Sequence, residues 1–155
     1  MKTYTPAEAL HRAAAYCSKS EHCISEINEK LRQWGLEKED AEAIVTRLLS
    51  EKFIDETRYC RSFINDKYKY SRWGRIKIAY ALRMKRIPDA TVYDMMDEVI
   101  NEEIYEGNLN ALLKEKLKST KGNHKMEISS KLFRFAAGRG FESSEITKAL
   151  KELSL

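Results

Sequence analysis

Residues that interrupt regular structure are scarce in this chain of 155 residues, which contains two prolines and six glycines. An all-β fold needs many turn residues between its short strands, so this scarcity argues against that class. Cysteines are also few, and no two of them form a close pair in the sequence. Their number and spacing argue against a disulfide framework or a zinc cluster, and we interpret them as small buried or half-buried hydrophobes: Cys17, Cys23 and Cys60.

Long apolar runs are missing as well. No stretch approaches the roughly 18 uncharged apolar residues that a membrane-spanning helix needs, and the N-terminus has no apolar stretch of signal-peptide length. The hydrophobic fraction of 43% is nevertheless enough to bury a core, while 34% of the residues are charged. We therefore expect a soluble, cytoplasmic protein that does not enter the membrane.

Side chains that carry enzymatic chemistry are few and scattered. The three histidines, His11, His22 and His124, fall in different predicted helices or loops, and no pair has metal-ligand spacing. No glycine-rich phosphate loop is present. Asp55 and Glu56 could hold Mg²⁺, but acidic residues in the first turn of a helix are expected from capping alone. We predict a protein that is not an enzyme, with no catalytic residue, no cofactor and no metal.

Apolar residues recur at helical spacing almost throughout the chain. This spacing and the helix-start signals predict nine helices, at about residues 5–18, 21–34, 38–52, 55–69, 75–85, 88–101, 102–117, 125–138 and 143–153. Six apolar positions recur three times, around the anchors Leu36, Ile87 and Phe141. With the anchors, these eighteen positions are Ile27, Leu31, Leu36, Ala41, Ile44, Leu48, Ile78, Leu82, Ile87, Val92, Met95, Val99, Leu132, Ala136, Phe141, Ile146, Ala149 and Leu153.

The recurring positions match one buried face on each of two consecutive helices joined by a tight turn. Gly35 and Gly140 stand immediately before their anchors, where a left-handed turn favours glycine, whereas the middle repeat has Arg86 there. We predict an all-α fold, an elongated and curved array of three three-helix repeats that gains its core by stacking. The predicted repeats are residues 1–53, 54–101 and 102–155.

Positive charge is concentrated in one segment, residues 58–86, which has ten basic residues and one acidic residue. The flanking segments are net negative. Six aromatic residues are interleaved with these cations: Tyr59, Phe63, Tyr68, Tyr70, Trp73 and Tyr80. Arginine binds phosphate through two parallel hydrogen bonds, and aromatic faces stack on exposed bases. We expect Tyr59, Phe63 and Tyr80 in the core, and a surface for a polyanion or an acidic protein over residues 67–77.

Two stretches of the middle repeat stand out: Phe53-Ile54-Asp55-Glu56-Thr57-Arg58-Tyr59-Cys60-Arg61-Ser62-Phe63 and Arg72-Trp73-Gly74-Arg75-Ile76-Lys77-Ile78, followed by Leu82. Together they resemble the RecX family. In that family an aspartate-rich helix start precedes an arginine and an aromatic residue, and a later glycine opens a further helix. Glu56, Cys60 and Arg86 depart from the usual aspartate, alanine and glycine. The resemblance extends along essentially the whole chain, because family members are also arrays of three-helix repeats.

The resemblance implies a regulator, chiefly an inhibitor, of the RecA recombinase. RecX proteins bind in the groove of the RecA–DNA filament and modulate homologous recombination, DNA repair and the SOS response. The implied partners are the RecA filament and single- or double-stranded DNA, and we expect a monomer. Eight residues of the basic segment are predicted to make these contacts: Arg61, Lys67, Lys69, Arg72, Trp73, Arg75, Lys77 and Arg83. Four residues of the family motif are interpreted as mainly structural: Asp55, Arg58, Tyr59 and Gly74.

Two other functions stay open from the residues alone. One is a stand-alone nucleic-acid-binding module, such as a helix-turn-helix transcription factor. Against it, the cations spread over two helices and their linker, whereas a recognition helix concentrates base-reading side chains at its N-terminus and usually belongs to a dimer. The other is a helical scaffold with no nucleic-acid role.

Overall fold

The fold is described from a computed structural model, which covers residues 3–155. Within that range the chain forms nine helices and no strand. They are α1 (Pro6–Lys19), α2 (Ile24–Gln33), α3 (Lys38–Ser50), α4 (Glu56–Lys69), α5 (Arg75–Met84), α6 (Asp89–Val99), α7 (Glu102–Ser119), α8 (Lys125–Gly138) and α9 (Ser143–Glu152). Each predicted helix is confirmed, with its ends within three residues of the expected positions.

Side-chain caps fix the starts of several helices. At α1 the Thr5 hydroxyl accepts the Glu8 N–H at 3.2 Å, and the Glu8 carboxylate accepts the Thr5 N–H at 3.1 Å. The Asn101 side chain accepts the Ile104 N–H in the same way at α7. Each cap satisfies backbone donors that the helix itself leaves unpaired, which stabilises the helix by about 1 kcal/mol.

The predicted repeat is visible in the burial pattern. None of the eighteen recurring apolar positions is exposed, and most are fully buried. The turn before each anchor is left-handed in all three repeats, with φ of 78° at Gly35, 64° at Arg86 and 97° at Gly140. The middle repeat therefore keeps the turn although it lacks the glycine. A residue with a Cβ pays about 1–2 kcal/mol for that conformation.

The apolar core is divided unequally among the repeats, here called repeat 1 (α1–α3), repeat 2 (α4–α6) and repeat 3 (α7–α9). Repeats 2 and 3 share one continuous core, so the expected stacking is confirmed there. Repeat 1 encloses a core of its own, which extends only to Ile54 at the start of the next repeat. Cys23, at the start of α2, is the repeat 1 residue that belongs to the shared core.

The three cysteines are free and buried, as expected from the sequence. Burial raises the pKa of the Cys60 thiol to about 11, so that it stays protonated at neutral pH and packs as a small apolar group.

The large exposed area agrees with an elongated array. The surface is 9703 Å² for a mass of 18.1 kDa, whereas a compact protein of that mass exposes about 8,100 Å². No helix within residues 3–155 combines the length and apolar character needed to cross a bilayer.

One of the three aromatic residues expected in the core is not there. Tyr59 is buried and Phe63 packs half-buried against the shared core, but 64% of Tyr80 is exposed. The prediction for Tyr80 was wrong because Ile78 and Leu82 are the core-facing positions of α5. Residue 80 lies two positions from each, which is about 200° around the helix.

Candidate nucleic-acid interface

The family-motif residues Asp55 and Arg58 hold the start of α4 in place. The Asp55 carboxylate accepts the Arg58 N–H at 3.0 Å and caps the helix. The Arg58 guanidinium does not bond Asp55. It pairs with Glu21 at 2.5 Å and donates to the carbonyl oxygens of Lys52 and Phe53. These contacts tie the α3–α4 connection to the loop between α1 and α2.

The second member of the acidic doublet, Glu56, also has a partner in repeat 1. Its carboxylate accepts the Ile24 N–H at 3.1 Å. Burial raises the pKa of Glu56, although this hydrogen bond opposes the shift. Within residues 3–155 no three His, Cys, Asp or Glu side chains stand close enough to hold a metal ion together.

Gly74 lies where repeats 2 and 3 meet backbone to backbone. Its N–H donates to the Arg139 carbonyl at 2.8 Å, and the Ile76 N–H donates to the Gly140 carbonyl at 2.9 Å. A Cβ on Gly74 would lie 2.2 Å from the Gly140 carbonyl carbon. No other residue type fits this position without moving one backbone away from the other.

Arg75 follows Gly74 and binds repeat 3 through both its backbone and its side chain. Its N–H donates to the Tyr105 hydroxyl at 2.9 Å, and its guanidinium lies over the Tyr105 ring at 4.2 Å. The same guanidinium pairs with Glu145 at 3.2 Å and with Glu102. The Arg75 side chain is only 22% exposed. Its charge is therefore engaged at the junction between the repeats.

Two lysines converge on the ring of Trp73. The ammonium of Lys67 lies 4.7 Å from the ring centroid and that of Lys77 lies 4.5 Å from it. Phe63 meets the same ring edge-on at 6.5 Å. Neither lysine has a carboxylate within ion-pair distance in the part of the chain described. We call Lys67, Trp73 and Lys77 the indole cluster. It presents two positive charges that no acidic group neutralises.

The other predicted contact residues differ in how their charge is used. Lys69 is exposed and forms no ion pair in the described chain. Three arginines pair across the surface with carboxylates: Arg61 with Glu98, Arg72 with Glu115 and Arg83 with Asp89. Such exposed pairs contribute about 0–1 kcal/mol, so a phosphate can replace the carboxylate at little cost.

A second cluster of cations around an aromatic ring lies in repeat 3. The Lys116 ammonium is 5.2 Å from the Phe135 ring centroid, and the Arg139 guanidinium carbon is 5.6 Å from it. We call these three residues the phenyl cluster. Neither cation has an ion-pair partner among residues 3–155. Sequence reasoning missed this cluster because α7 supplies one member and α8 and its turn supply the others.

The two clusters are neighbours. Arg139 of the phenyl cluster accepts the Gly74 N–H, one residue from Trp73. On the other side, Arg72 pairs with Glu115, one residue from Lys116. The packed junction of repeats 2 and 3 thus joins four cations without acidic partners into one surface. Lysine and arginine are the side chains that bind phosphate groups in proteins, and an aromatic face attracts a cation that lies over it.

The fold and the surface place the chain in a class of all-helical proteins built from tandem three-helix repeats. Its basic surface lies at the junction of repeats 2 and 3. Models of the RecX family match the chain twice, the first three-helix domain at residues 9–48 and the second at residues 55–96. A regulatory protein RecX from Prosthecochloris aestuarii is 34% identical over 149 residues, covering 94% of this chain and 93% of that protein. The chain belongs to the RecX family.

Other relatives and solved structures agree. The regulatory protein RecX of Clostridium acetobutylicum is 30% identical over 148 residues, which are 94% of this chain and 68% of that protein. The crystal structure of RecX from Lactobacillus salivarius has the same fold, with a TM-score of 0.86 at 18% identity and 96% of each chain covered. A second crystal structure of a regulatory protein RecX also gives 0.86, at 22% identity, over 95% of this chain and 71% of that one.

Proposed function

We propose that this protein inhibits RecA by binding in the groove of the RecA–DNA filament. Through that inhibition it modulates homologous recombination, DNA repair and the SOS response. Membership of the RecX family supports this function, and an elongated repeat array offers a long surface to a helical groove. We propose that it acts in the cytoplasm as a monomer, without catalysis of its own.

The observation that carries the proposal is the joined indole and phenyl clusters. Acidic residues neutralise most arginines of the basic segment, but Lys67, Lys77, Lys116 and Arg139 have no such partner. Like charges gathered at one place repel each other. Phosphates of single- or double-stranded DNA in the filament would neutralise them.

The eight predicted contact residues take different parts in this proposal. Lys67, Lys69 and Lys77 bind phosphate directly. Arg61, Arg72 and Arg83 can exchange an exposed carboxylate for a phosphate. Arg75 instead positions the surface, because its two carboxylate partners belong to the junction.

Trp73 has a positioning role in this proposal as well. Its ring already carries two ammonium groups and meets Phe63 at its edge. We therefore expect Trp73→Leu to lower both DNA affinity and the salt dependence of binding, since the lysines lose their support. If Trp73 stacked on a base, the same substitution would instead weaken DNA binding by about 1–3 kcal/mol and leave the salt dependence unchanged.

The test of the function is the ATPase activity of RecA on single-stranded DNA, measured with increasing amounts of this protein. One bound molecule can interrupt a cooperative filament, so suppression is expected at substoichiometric protein. A heat-unfolded sample of the same protein is the control. An unchanged ATPase rate at equimolar protein would contradict the proposal, provided that circular dichroism shows the protein to be folded and helical.

A further inference from the structure

The outer face of α5 carries a row of exposed apolar side chains. Ile76 is 55% exposed, Tyr80 64% and Met84 66%. They stand four residues apart, so they lie one above another on a single face of the helix. We call them the α5 stripe. Contiguous exposed apolar groups on a soluble protein mark a surface that another molecule covers.

The other two repeats show that the fold does not require this stripe. The positions eleven, seven and three residues before each anchor are equivalent in the three repeats. In repeat 1 they are Ser25, Glu29 and Gln33, and in repeat 3 they are Ser130, Arg134 and Gly138. The same helix of the same unit therefore folds with polar or small residues at these places. The apolar character is a property of the middle repeat alone.

A fourth residue extends the apolar surface onto α6. Tyr93 is 52% exposed, and it lies close enough to Arg83 for the two side chains to interact electrostatically. Arg83 also pairs with Asp89 of α6 at 3.0 Å, so its side chain lies beside both helices. The equivalents of Tyr93 are Glu42 and Thr147, so this position too is aromatic in the middle repeat only.

The charges around the stripe indicate what covers it. Helix α5 has no carboxylate, and two flanking cations, Lys77 on α5 and Arg86 at the turn that follows, have no ion-pair partner in the described chain. The charges of Arg75 and Arg83 are already engaged by carboxylates of this chain. A second copy of the same face would bring like charges together. A nucleic-acid backbone offers little apolar surface to the stripe. An apolar protein surface rimmed by carboxylates satisfies both the stripe and its flanking cations.

We propose that the α5 stripe docks onto such an apolar, acid-rimmed surface of the protein subunits in the RecA filament, while the indole and phenyl clusters bind the DNA. This inference rests on the proposed function. It separates two contacts on the basic segment, one to protein and one to nucleic acid. Interfaces of this kind depend on a few large side chains, and Tyr80 at the centre of the stripe is the expected anchor.

The test compares three proteins for binding to RecA filaments assembled on single-stranded DNA, and separately for binding to the bare DNA. They are the wild type, the stripe variant Ile76→Ser/Tyr80→Gln/Met84→Gln, and a control variant Leu49→Gln/Ile104→Ser/Met126→Gln. The control removes three exposed apolar side chains that lie apart on other helices. We expect the stripe variant to bind filaments about ten-fold more weakly or worse, with unchanged affinity for bare DNA. The control should match the wild type in both.

Two results would overturn the inference while leaving the proposed function intact. One is a stripe variant that binds filaments like the wild type. The other is a stripe variant that loses affinity for bare DNA to the same extent. A wild type that leaves RecA filaments unbound would instead refute the proposed function and the inference with it. The single substitution Tyr80→Arg introduces the residue type that repeat 3 has at the equivalent position, Arg134. It should also weaken filament binding, and it tests the stripe if the triple variant does not fold.

Discussion

The two junctions between repeats are built differently. Repeats 2 and 3 meet through their backbones, with Gly74 and Ile76 donating to the carbonyls of the α8–α9 turn. Repeats 1 and 2 meet through side chains. There the Ser25 hydroxyl donates to the Lys85 carbonyl at 2.7 Å, and the Lys85 ammonium pairs with Glu26 at 3.1 Å.

The difference follows the division of the core. Repeats 2 and 3 share one apolar core, whereas repeat 1 keeps its own. A binding surface whose residues come from both sides of a junction keeps its shape only if that junction is rigid. The indole and phenyl clusters lie on either side of the backbone-bonded junction, so the proposed binding surface depends on that junction and much less on the other.

The largest expected effect comes from Gly74→Ala. Its Cβ would collide with the Gly140 backbone, and we expect the free energy of unfolding to fall by about 3 kcal/mol or more. Gly107→Ala is the matched control, because nothing lies within 4 Å of a Cβ there. The control should gain up to about 1 kcal/mol from better helix propensity. Urea unfolding of both variants measures the difference, and equal stabilities would show that the close approach is not needed.

A smaller contrast is expected between the arginine of one junction and the lysine of the other. Arg75→Ala leaves Glu145 without its cation in a partly buried site, so we expect a loss of about 2 kcal/mol. Lys85→Ala removes a more exposed pair and should cost at most about 1 kcal/mol. Chemical unfolding checks both. Equal losses would mean that the two junctions are alike in strength.

A substitution in the left-handed turn of repeat 2 should raise the free energy of unfolding instead of lowering it. Arg86 adopts a left-handed conformation at φ 64°, which costs a residue with a Cβ more than it costs glycine. Arg86→Gly restores the residue type of the other two repeats and should raise stability by about 0.5–1 kcal/mol, because the strain relieved exceeds the extra chain entropy that glycine loses on folding. Thermal melting tests this. A lower melting temperature would show that the arginine side chain itself contributes to the junction.

The smallest effects concern the pH dependence at the side-chain junction. Burial opposes the ionisation of Glu26, but the Cys23 N–H and the Lys85 ammonium outweigh it and lower its pKa below the ordinary 4.5. Its stabilising contribution is therefore present above that pH and is lost as the pH falls through the lowered pKa. Burial raises the pKa of Glu56 above 4.5. Its ionisation therefore costs stability, and the cost grows as the pH rises through the raised pKa.

Melting curves between pH 3 and pH 7 separate the two carboxylates. At pH 7 we expect Glu26→Gln to lower the melting temperature and Glu56→Gln to keep or raise it. Each substitution should change the free energy of unfolding by about 1 kcal/mol or less. Both differences from the wild type should shrink toward pH 3. Shifts of the same sign at pH 7 would contradict these assignments.

The fold could be predicted almost completely because its signals are local. Helix caps and helical spacing each lie within a few residues in the sequence, and the same apolar spacing then recurs around Leu36, Ile87 and Phe141. The left-handed Arg86 was not foreseeable from residue type, since its conformation is imposed by the two helices that it joins. Tyr80 was expected in the core, yet its position on α5 relative to Ile78 and Leu82 places it outside.

The candidate site could be predicted only in part. The segment that contains the indole cluster was visible as a run of cations with aromatic residues between them. The carboxylates that engage Arg75 come from α7 and α9, so its two ion pairs could not be read from the basic segment. The phenyl cluster likewise forms only when α7 packs beside α8. The sequence pattern of a single repeat does not contain the contacts that the repeat makes with its neighbours.

The most direct test of the account is RecA inhibition by Lys67→Gln/Lys77→Gln compared with Lys19→Gln/Lys38→Gln. Both variants lose two exposed or half-exposed lysines that have no ion pair in the described chain, but the second pair lies on repeat 1. The first variant should need about ten-fold more protein to suppress the ATPase, and its salt slope on single-stranded DNA should fall by about 1.4. The second should match the wild type. Equal inhibition by both variants and the wild type would contradict the account.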